Sequence, residues 1–81
     1  MKFQGQTYDI RFFSDVERDG MALEVWSGGA SVAEVFYSDA DDKMTFSSFV
    51  AALPFELVEH LAATARSALA PLEGSRTEPA T

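Results

Sequence analysis

The apolar residues change their spacing at Pro54, and that change constrains the fold more than any other feature of the chain. Before Pro54, apolar and polar side chains alternate over four short segments. After it they fall at Leu57, Val58, Leu61, Ala62, Ala65, Ala68 and Leu69. Alternation by two marks a strand with one buried face, and a period near 3.6 marks an amphipathic helix. The four strand segments lie within 7–16, 21–27, 31–38 and 43–50. Asp19-Gly20, Gly28-Gly29-Ala30 and Asp39–Asp42 separate them. Connections this short force neighbouring strands antiparallel. The expectation is an α+β domain: a four-stranded antiparallel β-meander followed by one C-terminal α-helix on one sheet face.

The helix is expected to start at Pro54, whose missing N–H is not needed there, with Glu56 and Glu59 near its positive end and Arg66 near its negative end. Pro71 should stop it. Residues 1–70 then make one domain, and the small polar stretch 71–81 reads as a disordered tail.

Register follows from turn lengths. A two-residue Asp19-Gly20 turn, favoured because Gly accepts positive φ, sets Val16 opposite Leu23 and Phe13 opposite Trp26. A three-residue Gly28-Gly29-Ala30 loop sets Leu23 opposite Val35, keeping the core face apolar. A four-residue Asp39–Asp42 loop sets Tyr37 opposite Met44. The helix-facing layer then includes Tyr8, Ile10, Phe12, Val16, Leu23, Val25, Val35, Tyr37, Met44 and Phe46.

The other face carries what the core does not use. Phe13–Trp26–Val32–Phe49 forms an apolar row, with Phe36 nearby. Asp15–Glu24–Glu34–Ser47 forms an acidic row beside it. Large exposed apolar patches mark contact surfaces, and aromatics are frequent anchors. Like charges on adjacent strands repel by ~0.2–1 kcal/mol per pair. The row therefore calls for a cation, from a partner or from Arg11, or for a different register. The expected interaction surface is Phe13, Trp26, Val32, Phe36, Phe49, Asp15, Glu24 and Glu34.

Other motifs are weak. Asp39-Ala40-Asp41-Asp42 begins like a calcium loop but fails at Lys43, Met44 and Val50. His60 is the sole histidine, with Glu56 one turn earlier and no nucleophile nominated beside it. Glycine-rich phosphate loops and nucleophile-elbow spacings are absent. A net charge of −7 disfavours nucleic acid. No segment reaches the ~20 apolar residues of a membrane span. Met1–Gly5 lacks a leader's apolar run, and the absence of cysteine fits a reducing cytoplasm. The strings Val32-Ala33-Glu34-Val35-Phe36-Tyr37-Ser38-Asp39 and Leu53-Pro54-Phe55-Glu56-Leu57-Val58 resemble segments of small bacterial proteins and imply no function.

The expected function is a non-enzymatic protein–protein interaction module, without cofactor or metal, homodimerising through the outer sheet face. The alternative is an inhibitor or antitoxin-like binder of a basic protein. A carboxylate-based metal protein or small enzyme using Asp15, Glu24 and Glu34 is a third reading.

Overall fold

The computed structural model describes residues 1–69. Two short strands, β1 (Lys2–Phe3) and β2 (Gln6–Thr7), form an N-terminal hairpin. The main sheet follows: β3 (Asp9–Asp15), β4 (Gly20–Ser27), β5 (Ala30–Ser38) and β6 (Lys43–Ser48), antiparallel and in chain order. Helix α1 (Phe55–Ala68) completes the expected α+β meander. Residue 70 and the expected tail at 71–81 lie outside the described residues.

The N-terminal hairpin is an addition to the expected fold. Its turn is Gln4-Gly5, with φ of 52° and 79°. Both residues are left-handed, as a type I′ two-residue hairpin turn requires. The hairpin is tied down where Tyr8 N–H donates to the Met1 carbonyl at 2.7 Å. Phe3 packs on the helix side, 6.4 Å from the Tyr8 ring and 6.1 Å from the His60 ring.

The second and third connections give the expected pairings of Leu23 with Val35 and Tyr37 with Met44. The second does so by a different route. The turn is two residues, Gly28-Gly29, with φ of 62° and 82°. A bulge then restores the register, because Val25 opposes Ala33 while Trp26 opposes Ser31. Val32 is the extra residue, and it packs against the helix-side core instead of the outer face.

The first connection departs from expectation. Asp15 pairs with Gly20, so residues 16–19 form a four-residue loop and Phe13 opposes Ala22. Trp26 opposes Asp9. The slip is four residues, an even number, so every side chain keeps its face while changing neighbours. Val16 leaves the expected core and is 90% exposed. The left-handed residue of the loop is Asp19, with φ 57°, not Gly20. Gly20 lies in the strand because it has no side chain: a Cβ there would sit 2.0 Å from the Tyr37 carbonyl oxygen and 2.7 Å from the Phe36 ring.

Helix α1 starts after Pro54, whose carbonyl accepts the N–H groups of Leu57 and Val58. It ends three residues short of Pro71, with Leu69 as the C-cap donating to Ala65 at 2.8 Å. Leu57, Leu61, Ala65 and Leu69 are buried against Leu23 and Val25 of β4 and Ala33, Val35 and Tyr37 of β5. Fully burying a leucine contributes about 1.5–3 kcal/mol. The outer strands are covered less: Phe12 on β3 is 49% exposed and Phe46 on β6 is 46% exposed, where both were expected in the core.

Gly20→Ala is expected to destabilise the fold by about 3 kcal/mol, since the added carbon meets backbone that cannot move aside. Gly5→Ala is strained by its φ but meets nothing within 4 Å, so its cost should stay near about 1 kcal/mol. Urea midpoints at constant slope measure both; equal costs would remove the packing explanation for Gly20.

Candidate protein-contact surface

The helix-free face of the sheet holds six of the eight expected contact residues, Phe13, Asp15, Phe36 and Glu34 towards the loop end and Trp26 and Glu24 towards the other. Val32 is displaced by the bulge described above, and Phe49 follows the last residue of β6. At the loop end, Phe13, Ala22 and Phe36 lie side by side on β3, β4 and β5. Ala22 is fully buried although no helix covers it. Arg18 lies over the neighbouring Phe36, its guanidinium 4.1 Å from the ring centroid.

Arg18 reaches that position because the loop has four residues. Its Nε donates to Asp15 Oδ2 at 2.6 Å. Its Nη1 and Nη2 donate to the two Glu34 oxygens at 3.3 and 2.7 Å. Its backbone N–H donates to Asp15 Oδ1 at 3.1 Å. Glu34 is only 9% exposed, and the forked contact suits the planar guanidinium. The side-chain bond from Arg18, then its backbone N–H, holds the Asp15 carboxyl below the usual carboxylate range. Glu34 and then Asp15 raise the Arg18 guanidinium above its ordinary value.

At the other end, Arg11 lies 4.4 Å from the Trp26 ring centroid. The indole Nε1–H donates to Glu24 Oε1 at 2.9 Å. An aromatic face attracts a cation at this distance. Phe49 is farther out, 56% exposed, with its N–H on the Val32 carbonyl at 2.9 Å.

The expected apolar row is therefore corrected. Phe13 and Trp26 are separated by the four-residue slip, and Trp26 has Arg11 for company. The acidic row is corrected by the same slip, which puts Arg11 where Asp15 was placed: the row reads Arg11–Glu24–Glu34–Ser47. Arg18 then bridges the displaced Asp15 to Glu34. The guanidinium occupies the position between two carboxylates that a divalent cation would take. Among the described residues no group of three His, Asp or Glu is placed to hold a metal ion. His60 lies 3.4 Å from Thr64 Oγ1, while Glu56 is approached by Gln4. No helix among the described residues is long and apolar enough to cross a membrane. Comparison with protein-family models, curated proteins and solved structures returned no match.

Sequence reasoning missed Arg18 altogether. The signal lay in the repeated loop chemistry: Val16-Glu17-Arg18-Asp19 and Asp39-Ala40-Asp41-Asp42 both end on a left-handed Asp, at φ 57° and 55°.

Arg18→Ala leaves the Glu34 carboxylate buried without its cation and should cost about 1–3 kcal/mol. Glu34→Gln in the same chain should recover part of that loss; no recovery in urea melts would argue against a stranded charge. Asp15 has a lowered folded-state pKa, so its contribution is present above the ordinary carboxylate value of ~3.9 and is lost as pH falls through the folded one. The melting-temperature gap between the native chain and Asp15→Asn should therefore be widest near neutrality and close below about pH 4.

Proposed function

We propose that the protein is a non-enzymatic interaction module that meets a partner protein on its helix-free sheet face. The Arg11–Trp26–Glu24 cluster carries this reading. Trp and Arg are enriched among the residues that dominate interface energetics. Here they are ordered before contact: Glu24 fixes the indole, and the indole holds the guanidinium. Ordering in advance lowers the entropic cost of association.

The charge pattern bears on the kind of partner. A homodimer through this face would stack two sheets about 10 Å apart with interdigitated side chains. It would bury Arg11, Glu24, Arg18 and Glu34, and an imperfectly paired buried charge costs several kcal/mol. A basic partner gains less than the sequence suggested, because Arg18 already satisfies Asp15 and Glu34. Aromatics set among charges of both signs suit a non-obligate contact with a different protein, whose interfaces are no more apolar than ordinary surface.

Proteins retained from source-cell lysate on the immobilised full chain test this. At least one should bind the native chain and Phe12→Ala, which alters the opposite face. It should lose about 2 kcal/mol or more, roughly thirtyfold in affinity, with Trp26→Ala and with Arg11→Glu. Equal retention by all four chains would remove the helix-free face from consideration.

A further inference from the structure

The two edges of the main sheet are built differently. The β3 edge carries Asp9, Arg11 and Asp15. Charged side chains along an edge discourage pairing with another sheet. The β6 edge carries one charge, Lys43, at its first residue, and Met44–Ser48 is uncharged with no proline. Beside it, α1 leaves a groove of about 370 Å³ lined by Met44, Phe46, Val58, Leu61 and Ala62 among others.

The backbone of β6 is disposed for pairing. Phe49 donates its N–H to Val32 of β5. Alternation along an antiparallel strand then turns the N–H and C=O groups of odd residues 43, 45 and 47 towards β5 and those of Met44, Phe46 and Ser48 outwards. The same even residues send their side chains to the helix side.

We propose that the β6 edge binds β6 of a second copy of this chain, antiparallel, with Phe46 opposite Phe46 on the twofold axis. A twofold antiparallel pairing keeps the sheet faces continuous only when opposed residues have the same parity. Centring on Phe46 meets that condition and uses the whole uncharged stretch. Met44 faces Ser48 of the second copy, and the three outward residues exchange backbone bonds in pairs.

Charge and width both favour this occupant. In that register Lys43 lies opposite residue 49 of the other copy. The two lysines are then about 20 Å apart at ~3.4 Å per residue, beyond the ~8 Å screening length. The acidic 39–42 turns, with Asp39, Asp41 and Asp42, lie farther out still, away from the joint. Each helix sits over β4 and β5. With strands ~4.8 Å apart, the two helix axes would be roughly 19 Å from each other. Packed helices lie 8–10 Å apart, so a gap of about 9 Å remains between them. Met44 and Phe46 of both copies are the side chains that line it. The strip is smaller than the ~800 Å² per partner of a standard interface, so the dimer should form in the micromolar range and dissociate on dilution.

The surface differs from the helix-free face, so Trp26→Ala should leave this association unchanged. Sedimentation of the full chain across the micromolar range should show a monomer–dimer equilibrium that Ser48→Pro abolishes. That proline removes an outward N–H and no β5–β6 bond. The chain has no cysteine, which allows a direct check of register. Opposed residues in a hydrogen-bonded pair have Cα atoms ~5.5 Å apart, within disulfide reach. Under mild oxidation Phe46→Cys should become a covalent dimer about tenfold faster than Phe12→Cys, the equally exposed site on the other edge. A monomer at every concentration, a dimer that survives Ser48→Pro, or equal cross-linking at the two sites would overturn the proposal. The first outcome includes coverage of the strip by residues 70–81.

Discussion

One helix cannot cover four strands, and most of the structure follows from that mismatch. Four strands ~4.8 Å apart span about 14 Å between the outer axes, while a helix with its side chains is about 10–12 Å wide. Helix α1 buries Leu57, Leu61, Ala65 and Leu69 over the two central strands, where Leu23, Val25 and Ala33 are fully buried. Phe12 and Phe46 point to the same side but lie beyond its reach. The core is a narrow strip, and the half-exposed Phe12 and Phe46 lie along its two margins.

The helix-free face is organised by charge. The 16–19 loop lays Arg18 over the Phe36 ring and joins Asp15 to Glu34. The arrangement depends on three coincident conditions. The loop must be long enough to bring Arg18 back, Gly20 must leave space for the Phe36 ring, and two carboxylates must fix the guanidinium. An exposed ion pair contributes little alone. Here one partner, Glu34, is buried, so removing the cation is costly even though forming the pair from water gained little.

The alternation of side chains and the change of period at Pro54 were enough to read the strand order, the helix and the assignment of nearly every residue to a face. Trp26 was legible as an outer-face residue for that reason, even though its strand neighbour was misread. Register between β3 and β4 was not legible, because Asp19-Gly20 has two physical explanations. A glycine after an aspartate suits a left-handed turn position, and it also suits a crowded strand position. Sequence alone does not separate them; the Tyr37 carbonyl 2.0 Å from a Cβ at Gly20 does. Val32 was misplaced for a similar reason. A three-residue loop and a two-residue turn followed by a bulge give the same pairing of Leu23 with Val35, yet they send Val32 to opposite faces. The Gln4-Gly5 hairpin was missed because glutamine is not a residue that ordinarily announces a left-handed turn.

The two edges of the main sheet carry the same kind of half-exposed aromatic in different surroundings. Both Phe12 and Phe46 are about half exposed on the helix side, and neither would be required at its position by the core alone. Their strands differ in what surrounds them. Asp9, Arg11 and Asp15 punctuate β3 with charge, so its apolar residues are guarded against another strand, whereas Met44-Thr45-Phe46-Ser47-Ser48 is unguarded. Leaving an edge unguarded carries an aggregation hazard for a lone domain, and a closed twofold contact removes that hazard by consuming the edge it uses. A domain with so narrow a core also has a thin stability margin. Binding that is confined to the folded state adds to that margin in proportion to the logarithm of concentration. In the proposed edge-to-edge dimer, the part of the sheet that the chain's own helix leaves uncovered is the part closed by the second copy.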